Sequence, residues 1–169
     1  MPTRRKMSKL QHINLATGDW SPQKANTLTL SKFTKLISAI CDFLEDKYYK
    51  QAIPLPRLTP VWERTINLHH HLVFTEGLVD APALQQLGIS AHTDTLDQII
   101  TKIHEAQNEI PRTPHPVDKI LAAPTYWWFW NSTERQFWSD LINLVIHATN
   151  ARVMADQLLP DLIELVNTY

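Results

Sequence analysis

Only three glycines, Gly18, Gly77 and Gly88, occur in 169 residues. Glycine supplies the left-handed turns, bulges and close phosphate approaches on which sheets and dinucleotide-binding folds depend. A chain with so few has little access to either architecture. The eleven prolines sit mostly between apolar runs, where they divide the chain rather than interrupt its elements. Apolar residues make up 44% and charged residues 20%, a globular composition in a chain of single-domain size. The expected fold is all-α: an irregular bundle of four to five helices over residues 28–169, behind a flexible basic tail and irregular segment at 1–27.

Apolar periodicity places the helices. Leu30, Phe33, Ile37, Ile40, Leu44 and Tyr48 recur at three- and four-residue steps, predicting a helix over 31–50 with Ser31 as its cap. Three prolines between Gln51 and Pro60 predict a rigid, extended connection. A second helix is then expected from a Thr59 cap and Pro60 at its first position to Gly77 just past its end. Its apolar arc holds Val61, Trp62, Thr65, Ile66, Leu68, His69, Leu72 and Val73, and leaves Glu63, Arg64, Asn67, His70 and His71 opposite. A short turn at 81–87 closes on Gly88, and a helix over 91–109 follows, with Leu96, Ile99, Ile100, Ile103 and Ile110 as its stripe. Pro111 to Pro116 read as a stiff linker, with a short turn at 117–122. Asn131 with Glu134 reads as a capping box for a helix to about Leu158. Phe137, Trp138, Leu141, Leu144, Val145, Ala148 and Ala155, widened by Ile142, give it a central position. Pro160 is expected to kink or restart the chain before a last short helix.

Charge and cysteine content limit the function classes. Arg4, Arg5, Lys6 and Lys9 give the first nine residues +4, which leaves −5 on the rest of a chain of net charge −1. A body of that sign does not suit broad phosphate binding, so contact with nucleic acid is expected through the tail alone. Cys41 is the single cysteine, so neither an internal disulfide nor a thiolate zinc cluster is expected. No stretch approaches the roughly 20 apolar residues of a membrane span, and no signal peptide is readable. The expected setting is the cytoplasm.

Four groups of residues invite a chemical reading. His69, His70 and His71 look like metal ligands, but consecutive helical residues point about 100° apart and cannot share one ion. His92, His104 and His147 would join them only through tertiary convergence, so neither a metal nor a cofactor is expected. Arg64, Asn67 and His71 project from one helix face, the outer two seven residues apart. A guanidinium suits phosphate charge and an imidazole titrates near neutrality. This spacing resembles the Arg-x(4–6)-His signature of HEPN-family ribonucleases, helical domains of similar size. The resemblance implies metal-independent cleavage of RNA by Arg64 and His71, usually across a dimer. It covers eight residues, and Thr65 stands where the family usually has asparagine or an acid.

Ala83 to Ser90 is similar to the turn of a helix-turn-helix DNA reader, which would occupy 80–103. Asp94 falls where that motif wants an apolar residue, and Asp94 and Asp97 would face a polyanion. Last, Tyr126, Trp127, Trp128, Phe129 and Trp130 are five consecutive aromatics among only fifteen in the chain. Neither a helix nor a strand can turn all five inward from a surface position. Tryptophan and tyrosine anchor protein partners because they join a large apolar area to a polar handle. The leading expectation is therefore a non-catalytic interaction protein, a small subunit or accessory factor of a larger assembly, nucleoprotein assemblies included. It would dock on a protein partner or a second copy through 126–130. The ribonuclease and the DNA-binding regulator stand as alternatives.

Overall fold

The computed structural model describes residues 27–109 and 132–169. They form α1 (Leu30–Tyr49), α2 (Leu55–Val79), a short 3-10 helix (Pro82–Leu87), α3 (Leu96–Glu109) and α4 (Ser132–Thr168). Among the described residues there is no strand, only an isolated antiparallel bridge between Thr29 and Thr95. The protein is an all-α bundle. Helix α2 lies between α1 and α4, while α3 and the 3-10 helix pack against α4.

One continuous core runs through these elements. Leu30, Ile37, Ile40 and Leu44 of α1, Leu58, Leu68 and Leu72 of α2, Ile99 of α3, and Leu141 and Leu144 of α4 are fully buried. Buried threonines inside the helices satisfy their hydroxyls one turn back, Thr34 on the Leu30 carbonyl and Thr65 on the Val61 carbonyl. Helix α4 buries small residues at Ala148, Ala151 and Ala155 and leucines at Leu158, Leu159 and Leu162. That sequence of contacts carries it through the bundle, as its wide apolar arc implies.

Several boundaries differ from the sequence reading. Thr29, not Ser31, caps α1, and Ser31 is buried in the first turn. The loop 90–95 explains why: the N–H groups of Leu30 and Ser31, which a helix cannot satisfy internally, donate to the Asp94 and Ala91 carbonyls at 2.9 Å. The connection before α2 is also shorter than expected. Pro54 takes the cap position, Pro56 stands in the first turn where its missing N–H is harmless, and Pro60 lies inside the helix. Arg57 and Leu58 both donate to the Pro54 carbonyl, and Leu58 is fully buried, so core packing offsets the bond that Pro60 cannot make. The same holds at the far end of the chain, where α4 continues through Pro160 to Thr168 while Leu158, Leu159, Leu162 and Leu165 stay buried.

Helix α3 starts at Leu96, five residues later than the periodicity suggested. Thr95 and Gln98 form a reciprocal capping box: the Thr95 N–H donates to Gln98 Oε1, and the Gln98 N–H donates to Thr95 Oγ1. Leu96, Ile99 and Ile103 form the buried stripe, with Ile100 half-buried. Ile110, the linker at 111–116, the turn at 117–122 and Asn131 lie outside the described residues.

The two described glycines make opposite demands. Gly88 closes the 3-10 helix at φ +67°, as the sequence suggested, and Gly77 sits within α2 rather than beyond its end. A Cβ at either position meets nothing within 4 Å, so backbone conformation alone sets the outcome. Gly88→Ala is expected to lower stability by about 1–2 kcal/mol, through the left-handed backbone. Gly77→Ala should raise it by about 0.5–1 kcal/mol. Urea unfolding of the two variants side by side checks both signs.

Candidate functional site

Of the α2 face opposite the apolar arc, Arg64 and His71 meet α4, while Glu63, Asn67 and His70 are exposed. The two helices run antiparallel, because Arg57 reaches Glu164, Arg64 reaches Asp161 and His71 reaches His147. Arg64 Nη1 donates to Asp161 Oδ2 at 2.7 Å, and Nη2 donates to the Gln157 carbonyl at 3.0 Å. Both partners of the ion pair are more than two-fifths exposed, so the pair itself adds less than about 1 kcal/mol. Its effect is on availability. The guanidinium is already engaged by a carboxylate and a carbonyl.

Two turns further along α2, the Nδ1 atoms of His71 and His147 stand 3.0 Å apart, and the Phe74 ring stacks on the His147 ring at 5.0 Å and 10°. Both histidines are half-buried. Burial lowers the His71 pKa, and His147 and His70 lower it further, so the neutral imidazole is favoured there. The sign of the linkage follows. The unfolded chain takes up a proton near the ordinary value of about 6.5 while folded His71 resists it, so stability falls as pH drops below that value. Thermal midpoints should therefore decline from neutral pH toward pH 5, and decline less steeply in His71→Asn.

This seam joins residues the sequence reading treated separately. Arg64 and His71 do share one face of α2, but each has its own partner on α4, and Asn67 between them is exposed. His147, which the sequence offers only as one of three dispersed histidines, turns to His71. Antiparallel packing of α2 on α4 creates that convergence, so no local spacing could reveal it. His69 is half-buried rather than in the core; burial and then His70 lower its pKa, against the opposite pull of Asp42 on α1. Among the described residues no group of three or more His, Cys, Asp or Glu side chains gathers as a metal site.

The helix-turn-helix geometry is not formed at 80–103. A six-residue 3-10 helix stands where the first helix of the motif belongs, and residues 88–95 separate it from α3. Asp94 is 7% exposed, accepts the Ser90 N–H and receives Lys102 Nζ on both carboxylate oxygens at 3.0 and 3.1 Å. The same ammonium donates to the Gly88 carbonyl. Asp97 is likewise held by Arg152 of α4. Cys41 offers no nucleophile, since burial and the carboxylates of Asp42 and Glu45 push its thiol up to about 11.

Several large apolar side chains are open on the described surface. Phe74 is 61% exposed, and Ile146 and Val153, two turns apart on α4, are each 49% exposed. A second exposed aromatic group lies at the end of α1, where Tyr48 packs against Tyr49 and against Trp62 of α2. The aromatic run Tyr126, Trp127, Trp128, Phe129 and Trp130 and the basic residues Arg4, Arg5, Lys6 and Lys9 lie outside the described residues. No helix among the described residues is long and apolar enough to cross a membrane. Comparison with protein families, with curated proteins and with solved structures returned no match.

Proposed function

We propose that this chain is a non-catalytic helical interaction protein of the cytoplasm, a small subunit or accessory factor that docks on a protein partner or on a second copy of itself. The observation that carries this reading is the exposed apolar edge of the α2–α4 seam, where Phe74, Ile146 and Val153 stand open to solvent. The aromatic run at 126–130 supplies anchors of the kind that dominate binding energy at protein interfaces. The cations that rival readings require are engaged within the fold, Arg64 by Asp161 and Lys102 by Asp94.

Two substitutions test the docking segment. Trp128→Ser with Trp130→Ser is expected to abolish partner binding or self-association, read by sedimentation velocity and by capture from the native cell, while the thermal midpoint stays within a few degrees. A collapse of the midpoint would place those rings in the core and overturn their role as anchors. The ribonuclease reading keeps one supporting fact, the shared half-buried position of Arg64 and His71 on α2. It requires RNA cleavage by the purified protein that Arg64→Ala and His71→Ala abolish.

A further inference from the structure

We propose that His71 and His147 form a proton-dependent latch between α2 and α4, which stays closed while the pair carries at most one proton beyond neutrality and opens when both rings are cationic. At 3.0 Å, the two Nδ1 atoms are within hydrogen-bond distance, so one must carry a hydrogen and the other a lone pair. In the neutral pair one ring holds its hydrogen on Nδ1 and the other on Nε2. One added proton goes to the free Nε2 of the donor ring, after which the shared hydrogen can sit on either Nδ1. Either way one N–H still faces one lone pair, and the bond becomes charge-assisted. A second proton puts an N–H on both facing atoms. No acceptor then remains, and two cations oppose each other at contact distance.

Among the described residues no carboxylate forms an ion pair with either ring to compensate that second proton. His70, next in sequence on α2, is the other titratable group that bears on His71 besides His147, and protonation makes it a third cation. The nearest charged groups joining the two helices further along the seam, Arg64 and Asp161, are bonded to each other. Both rings are half-buried, so protons exchange with solvent. The switch also has a reporter built in, because the Phe74 ring lies flat on the His147 ring and must change its surroundings when that ring moves.

The test is an imidazole nitrogen NMR titration of the full chain from about pH 8 to about pH 5 and below, with exposed His92 and His104 as internal references. The expected result is that His71 and His147 titrate together in two steps separated by more than about one pH unit. Phe74 ring signals should move with the second step and not the first. In His70→Asn the two steps persist. In His147→Asn the coupling disappears, and His71 titrates in one step. If the wild-type pair follows two independent single-step curves, or if Phe74 does not respond to the second step, the latch is excluded. The wild-type measurement decides this whether or not a variant folds.

Discussion

Leu58→Ala is expected to lower the free energy of unfolding by about 3 kcal/mol, within the usual range for a buried leucine cut back to alanine. Leu58 is fully buried, and its backbone N–H donates to the Pro54 carbonyl in the first turn of α2. The substitution removes apolar atoms and leaves a cavity that a turn held between Pro56 and Pro60 cannot easily collapse. Exposed Val153→Ala, on the same bundle, should cost less than about 0.5 kcal/mol. Urea unfolding of both, with unchanged m-values, separates a lost contact from a changed denatured state. A connection that was extended between Gln51 and Pro60 would make Leu58→Ala as mild as Val153→Ala.

Lys102→Met is the second large effect, a loss of about 2 kcal/mol, below the roughly 3–5 kcal/mol of a fully enclosed pair because water reaches the ammonium. Asp94 is the buried partner, its side chain 9% exposed against 40% for Lys102. Without the ammonium, the carboxylate keeps the Ser90 N–H at 2.9 Å as its side-chain contact among those described. The damage spreads because the Asp94 carbonyl receives the Leu30 N–H and the neighbouring Ala91 carbonyl receives the Ser31 N–H. Loss of this loop therefore leaves the N–H groups of Leu30 and Ser31 without acceptors. Combining Lys102→Met with Asp94→Asn should restore part of the loss, since the buried charge is gone. Chemical denaturation of the two single variants and the double gives the coupling directly.

What could be read from the sequence was periodic, and what could not was relational. Phe33, Ile37, Ile40 and Leu44 mark α1 because a helix repeats every 3.6 residues, and Leu141, Leu144, Ala148 and Ala155 mark α4 for the same reason. Prolines misled twice. Pro60 and Pro160 each forgo one backbone bond, yet Leu58 and Leu159 beside them are buried deeply enough to hold the helix together. The start of α3 was legible in principle, since Thr95 and Gln98 have the spacing of a capping box, but the apolar stripe drew the boundary too early. Asp94 was noticed as a charge at a position that wants an apolar residue. It is indeed buried, and its partner Lys102 lies eight residues away on α3.

The α2–α4 seam lay beyond local reasoning altogether. Arg64 and Asp161 are separated by 97 residues and His71 and His147 by 76, so only the antiparallel packing of the two helices pairs them. Once paired, Arg64 and His71, which resembled a ribonuclease signature, become seam contacts.

Sedimentation velocity combined with an RNA cleavage assay, on one purified preparation, tests that account most directly. It predicts a partner complex or self-association that Trp128→Ser with Trp130→Ser removes at unchanged thermal midpoint, and no RNA cleavage above a buffer blank. RNA cleavage lost in both Arg64→Ala and His71→Ala, with association untouched by the tryptophan changes, would contradict it.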